Sequence, residues 1–315
     1  MSADGVRESA GTVVEVHGIL ATVAVHGEGR RVRCVPPGPE NKPVVGDRVT
    51  IAEGGPGEPR ITAIADRERV VERRPQPHKV QTVAAWVDRL IVVSAVEPPP
   101  RPGLIDRILV TLGPSAIDVV LVANKVDLPG APAGLAALAP YAAEPVGAQL
   151  LATSAKTGEG LVALRELVAH GVSVVVGHSG VGKSSLLNAL IPEASLRTGH
   201  VNEKTSKGRH TTTVSTAHEV GAPWPDGGLV VDTPGFRAWP LHGLPLEEVA
   251  RRFPGVGELA AACHYGDCLH EEEPGCAVRA AAAEGALDPE RLDACRGLLA
   301  QLREERAEPP PKRRR

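Results

Sequence analysis

Aromatic side chains are almost missing from this chain: three Trp, two Tyr and two Phe in 315 residues, 2% of the total. Any core must be built from Val, Leu, Ile and Ala, which a hydrophobic content of 42% supplies amply. No apolar run is long enough to cross a bilayer, and the polar start Met1-Ser2-Ala3-Asp4 is not that of a signal peptide. A cytoplasmic protein with no membrane partner is the expectation. Overall basic charge is lacking too: the net charge is −3 and the pI near 6.4, which is not the global signature of a nucleic-acid binder. Local basic runs exist at Arg67–Lys79 and at Lys312-Arg313-Arg314-Arg315, but short runs of this kind read first as a solvated linker or tail.

Lysine and asparagine are scarce, and where they persist is informative. Of 35 basic residues only eight are Lys, and five of these (125, 156, 183, 204 and 207) lie in or beside a few short motifs. In a chain that favours Arg so strongly, Lys should remain where a compact ammonium is needed and a guanidinium cannot replace it. Gly177-His178-Ser179-Gly180-Val181-Gly182-Lys183-Ser184-Ser185 is one such motif, a phosphate-binding loop expected by chance on the order of 0.01 times in this chain. An apolar strand before it and a helix after it supply the context in which amide N–H groups cradle phosphates at a positive helix end. Lys183 should bridge the β- and γ-phosphates, and the Ser184 hydroxyl should ligate Mg²⁺.

Asn124-Lys125-Val126-Asp127 follows a second apolar strand. The Asp127 carboxylate can accept from both N1–H and the 2-amino group of guanine, a pair that adenine does not offer. Asn124 should tie the base loops together, and the Lys125 stem should cover the purine and ribose. Ser154-Ala155-Lys156, 27 residues beyond Asp127, adds a backbone N–H for guanine O6. Asp232, at the end of another apolar strand, should hold Mg²⁺ through water, and Gly235 allows a close approach to the γ-phosphate. One of Thr211, Thr212 or Thr213 completes the metal shell, Thr212 being the choice here. Phe236 stands where many GTPases carry a water-orienting Gln, so intrinsic hydrolysis should be slow. His210 can accept a proton from water and is the candidate replacement; a merely exposed histidine is the competing reading. The base-reading motifs precede the phosphate loop and the γ-phosphate motifs follow it, so the usual chain order has been cut and rejoined by circular permutation.

Five Cys is an odd number, and three of them flank one His in Cys263, Cys268, His270 and Cys276, a C-x4-C-x-H-x5-C pattern. In a reducing compartment this clustering argues for metal rather than disulfides. Three thiolates and an imidazole make a closed tetrahedral Zn²⁺ site with no open position for a reactive water, so the metal should be structural. Cys34 and Cys295 fall outside the spacing and read as buried small residues.

Three regions follow. Residues 1–69 carry five short alternating strands punctuated by Gly, Pro and Asp, the pattern of a small OB-fold-like β-barrel. Residues 70–240 alternate buried strands with helices, the pattern of an α/β P-loop GTPase domain with permuted motif order. Residues 241–315 form a small α-helical zinc-binding domain with a basic tail. Segments Glu97–Pro102 and Pro129–Pro132 read as loops. The barrel region holds no aromatic residue, so base stacking on it is not expected.

The permuted order, the OB-like region before it and the Cys3His pattern after it resemble the bacterial ribosome-small-subunit-dependent GTPase A family. The likeness rests on N-K-V-D, S-A-K, G-H-S-G-V-G-K-S-S, G-R-H-T-T-T, D-T-P-G-F and the zinc spacing, and covers roughly residues 10 to 300. It implies a GTPase acting in late maturation of the 30S subunit, stimulated by that subunit, with 16S rRNA as partner, GTP or GDP with Mg²⁺ and one Zn²⁺ as ligands, and His210 as the hydrolytic residue. A monomer is expected. The other reading is an RNA- or protein-binding module that uses GTP only as a conformational ligand. The Ala/Pro/Gly-rich stretch from Pro129 to Pro145 and the basic tail match no part of the family pattern.

Overall fold

The computed structural model describes residues 6–307, apart from residues 39, 56, 77–78, 114, 192–215, 234–238, 240 and 242. Strands β1 (Arg7–His17), β2 (Leu20–Val25), β3 (Arg31–Cys34), β4 (Arg48–Glu53) and β5 (Arg60–Ile64) form an antiparallel sheet in the order β3-β2-β1-β4-β5. Alternation sets the inner face: in β3, Val32 and Cys34 are buried while Arg31 and Arg33 are exposed. The sheet's two edges meet where Val35 pairs in parallel with Arg60. There Val35 N–H donates to Pro59 O and Ile61 N–H to Val35 O, each at 2.9 Å. The resulting five-stranded barrel is that of an OB-fold, filled by Val13, Val23, Cys34, Ile51 and Ile61 without an aromatic ring.

A hairpin that the sequence reading did not place, β6 (Val71–Gln76) and β7 (Lys79–Ala84), leads from the barrel to the second sheet. That sheet comprises β8 (Arg89–Ala95), β9 (Asp118–Asn124), β10 (Gln149–Ala152), β11 (Gly171–Val176), β12 (Thr216–Val220) and β13 (Gly228–Asp232), in the order β10-β9-β8-β11-β13-β12. All neighbours are parallel except β12 and β13.

Helices cover both faces, which is why these strands read as continuous apolar runs. Leu90 and Val92 of β8 pack with Ile105 and Ile108 of α1 (Pro102–Leu112) and with Leu138 and Tyr141 of α2 (Ala131–Ala142). The alternate residues Ile91, Val93 and Ala95 pack with Leu164 and Val168 of α3 (Leu161–Val168) and with Leu186 and Leu187 of α4 (Lys183–Leu190). From β8 the chain proceeds outward to β9 and β10; from β11 it proceeds the other way, to β12 at the edge and back to β13 beside β11. Ligands bind at such a reversal, beyond the carboxyl ends of the two diverging strands.

Beyond the sheet, α5 (Leu246–Arg252), α6 (Gly257–Ala260), α7 (Ala277–Ala283) and α8 (Pro289–Ala307) surround a separate cluster that includes Phe253, Val256, Val278 and Leu299. Val110 of α1 belongs to the same cluster and joins it to the sheet domain.

One loop expectation is corrected. Pro129–Pro132 is not wholly loop, because α2 begins at Ala131 with Pro132 in its first turn. There the missing N–H has no intrahelical acceptor to lose, and the following Ala-rich stretch has the highest intrinsic helix propensity. The other expected loop likewise ends at Pro102, the first residue of α1.

Candidate nucleotide-binding site and metal centre

The phosphate loop leaves the end of β11 at Gly177. A Cβ there would lie 2.3 Å from Val93 O, and one on Gly182 would lie 2.5 Å from Asn124 Nδ2, so the loop folds only with glycine at both positions. Lys183 opens α4, and its Nζ donates to Gly177 O at 2.6 Å and His178 O at 3.0 Å. Burial pushes this ammonium below its ordinary value, with Asp232 opposing the shift. Burial likewise pushes the Asp232 carboxyl up, against the pull of Lys183 and His218. A buried cation and a buried carboxylate so placed would each gain from an opposite charge, an anionic phosphate for one and a divalent cation for the other. His178 Nδ1 donates to Ser179 O at 2.9 Å, and burial pushes the imidazole down towards its neutral form. Ser184 and Ser185 follow Lys183 in the first turn of α4.

On the base side a cavity of about 400 Å³ is lined by Asn124, Lys125, Asp127, Leu128, Ala155, Lys156, Gly182 and Ser185. That volume falls within the usual range for small-molecule sites. The Asn124 side chain is buried at the centre: Nδ2 donates to Val181 O at 2.9 Å, and Oδ1 accepts from Ala155 N–H at 3.3 Å. Lys125, held in a left-handed conformation, donates from Nζ to Glu97 O at 2.6 Å and to Gly180 O at 2.8 Å. Ser154 Oγ donates to Asp127 Oδ1 at 2.7 Å and accepts from Thr157 N–H at 3.1 Å, while Val126 N–H donates to Thr153 O at 3.2 Å. Three stretches far apart in sequence therefore share one hydrogen-bonded cradle. Leu128 and Glu97 were not singled out from the sequence; adjacency to Asp127 was the available signal for Leu128, and Glu97 takes part only through its main chain. His210, Thr211, Thr212, Thr213, Gly235 and Phe236 lie outside the described residues.

The Cys3His pattern closes on itself in space. The ligand atoms of Cys263, Cys268, His270 and Cys276 all lie within 4.8 Å of one another. His270 Nδ1 is 3.7, 3.4 and 3.5 Å from the sulfurs of Cys263, Cys268 and Cys276, and the first and last sulfurs are 3.9 Å apart. Tetrahedral bonds of about 2.3 Å to sulfur and 2.0–2.1 Å to nitrogen give edges of about 3.5–3.8 Å, so these residues fit a zinc-sized ion. Burial pushes the Cys268 thiol up to about 12 and the His270 imidazole down, so a thiolate here needs a cation beside it. The ligand loop is braced from outside: Glu273 accepts from the Leu269 and Glu271 amides at 2.7 Å each, and Arg296 of α8 donates to His270 O at 2.8 Å. Cys34 and Cys295 are buried outside the cluster.

Sheet order, phosphate loop and base loops together define a circularly permuted P-loop GTPase, an enzyme that hydrolyses GTP to GDP with Mg²⁺. A family model described as RsgA GTPase matches residues 64–242. The small ribosomal subunit biogenesis GTPase RsgA of Moorella thermoacetica is 41% identical over 259 residues, 82% of this chain and 84% of that protein. Its namesake from Histophilus somni is 34% identical over 303 residues, 95% of this chain and 85% of that protein. Among solved structures, YjeQ from Thermotoga maritima superposes with a TM-score of 0.74 at 30% identity, covering 94% of this chain and 99% of that one. YloQ, described as a circularly permuted GTPase, shares the fold with a TM-score of 0.71 at 23% identity over 98% and 99% of the two chains. The chain belongs to the RsgA GTPase family.

Proposed function

We propose that this GTPase acts in biogenesis of the small ribosomal subunit, as a cytoplasmic monomer that binds the 30S particle through 16S rRNA and hydrolyses GTP to time its release late in maturation. The names of the relatives support the small subunit as partner. The observation carrying the nucleotide assignment is the hydrogen bonding of Asn124 and Lys125 to the phosphate loop, beside the Asp127 carboxylate. In the described residues no helix is long and apolar enough to cross a membrane.

The partition into residues 1–69, 70–240 and 241–315 is supported by clusters inside the barrel, on one face of the second sheet and among α5–α8, while the cluster on the other sheet face also takes in Val14, Ala24 and Val45 of the barrel, and Val110 of α1 joins the last. Within the site, Gly177–Ser185 and Lys183 hold the phosphates, and Asp127 and the Ser154–Lys156 loop hold guanine. Ser184, Thr212 and Asp232 would hold Mg²⁺, which would neutralise charge at the phosphate oxygens. His210 takes the role of orienting water or accepting its proton, and Gly235 reports on the γ-phosphate. Zn²⁺ at Cys263, Cys268, His270 and Cys276 is structural.

GTP turnover with and without purified 30S subunits tests this reading. Stimulation by 30S that is lost in His210→Ala is expected. No stimulation, with unaltered His210→Ala kinetics, would instead make GTP a conformational ligand of a binding module.

A further inference from the structure

Arg291 of α8 reaches from the metal-bearing helices into the GTPase domain. Its Nη2 donates to Asp106 Oδ1 on α1 at 2.9 Å and to Pro254 O at 2.8 Å, and its Nη1 lies 3.3 Å from Tyr141 Oη on α2. The Tyr141 hydroxyl lies 2.9 Å from the same Asp106 oxygen and 3.1 Å from Pro102 O. Both partners are almost fully enclosed, Asp106 at 3% and Tyr141 at 2% exposure. The guanidinium also faces the rings of Phe253 at 4.8 Å and Tyr141 at 5.1 Å, a cation–π arrangement that fixes its plane. Nearby, Arg107 of α1 donates to Glu305 at 2.8 Å and Gln301 at 3.1 Å on α8. A buried charged cluster tolerates little displacement, because each group loses its compensation if another moves.

The cluster is wired to the base side of the nucleotide site by stiff chain. Pro102, whose carbonyl meets Tyr141, ends the segment Glu97-Pro98-Pro99-Pro100-Arg101-Pro102, in which four rings lock φ and remove backbone donors. At the other end of that segment Glu97 O accepts from Lys125 Nζ, which also holds Gly180 O of the phosphate loop. The second helix has no room to slip: a Cβ on Gly134 of α2 would lie 2.6 Å from Val96 Cγ1, next to Glu97. Both helices that Arg291 touches through side chains therefore bear on the loop that anchors Lys125.

We propose that Arg291 is a positioning residue for the guanine-nucleotide site, and that the Asp106–Tyr141–Arg291 cluster is the joint through which the metal-bearing helices and the base-side loops set each other's conformation. This rests on the reading of the base cavity as a guanine site. It differs from a route through the γ-phosphate, since GDP is enough to engage the base side. Coupling of this kind is reciprocal, so a partner on α5–α8 that favours the conformation GDP favours must raise nucleotide affinity by the same factor.

The test uses the full-length, zinc-loaded chain and GDP. In the wild type, GDP is expected to slow hydrogen exchange at α8 amides such as Leu298 and Leu299, and Tyr141→Phe should abolish that response. Arg291→Gln should weaken GDP binding about fivefold or more, with Arg291→Lys recovering part of the loss. A merely structural cluster would lower the melting temperature of these variants and leave GDP affinity alone; that result overturns the joint. Identical α8 exchange with and without GDP in the wild type overturns it without any variant, so a poorly folding Arg291→Gln does not shelter it. A wild type that binds neither GDP nor GTP would sink the guanine-site reading and the joint with it.

Discussion

The Asn124 side-chain amide donates to the Val181 carbonyl at 2.9 Å, joining two loops 57 residues apart in the chain. The bond is indifferent to chain order, which is how a permuted sequence can keep one guanine-nucleotide site. Asn124→Ala should leave the Val181 carbonyl unpaired in a buried place, at about 1–3 kcal/mol, and release the Ala155 amide at the cavity wall. Loss of GDP affinity together with a lower melting temperature is expected. Calorimetric titration and thermal unfolding check both, and full affinity in the variant would contradict the tie.

Asp127 faces the same cavity with an acceptor-only carboxylate. Asp127→Asn replaces one acceptor by an N–H₂ donor, which suits the C2 carbonyl of xanthine and opposes the 2-amino group of guanine. GTP binding should fall by a factor of a hundred or more, on the order found when a buried polar partner goes unpaired, while xanthosine triphosphate binding rises. Competition of the two nucleotides for the variant measures this; unchanged preference for GTP would place the base elsewhere.

Much of this was legible because the chemistry is local. The strand at Asp118 is an uninterrupted apolar run ending in the Asn124–Asp127 motif, and the phosphate loop carries its own strand–turn–helix context. The closure of the barrel was less direct, since it depends on Val35 meeting Arg60 across β4 and two flanking loops rich in Pro and Gly. The α2 helix was hidden by Pro129 and Pro132, which signal a break in sequence but sit harmlessly before and in a first helical turn. The Asp106–Tyr141–Arg291 cluster left no sequence signal at all. Its members are 35 and 185 residues apart, and a lone Asp or Arg on an amphipathic helix reads as a solvated charge.

The metal centre should be a folding element. Its ligands supply much of what fixes the loop between Cys263 and Cys276, and a Cys3His site contributes its binding energy to folding. Extraction by a strong chelator under reducing conditions should release one zinc per chain, and α5–α8 should lose hydrogen-exchange protection while the barrel keeps its own. Cys276→Ser should behave similarly. Unaltered protection after complete zinc loss would show that the cluster at Phe253 and Leu299 suffices alone.

Asp232 offers a pH test of the site's electrostatic tension. Burial raises its carboxyl, so the folded chain holds that proton more tightly than the unfolded one. Its contribution to stability therefore falls as pH rises from the ordinary aspartate value, about 3.9, through the raised folded value, and is level above it. Asp232→Asn removes that loss. The variant's advantage in melting temperature without nucleotide should grow as pH rises from about 4 and then plateau, while GTP hydrolysis is lost. An advantage that instead shrinks with rising pH would mean the carboxylate is stabilised where it stands.

On the proposed function, GTP holds this protein on the small ribosomal subunit and hydrolysis lets it go. Co-sedimentation with purified 30S and 50S particles, loaded in turn with a non-hydrolysable GTP analogue and with GDP, tests it most directly. Retention on 30S with the analogue, release with GDP, and no retention on 50S in either state are expected. Equal binding to 30S in both nucleotide states, or preference for 50S, would contradict it.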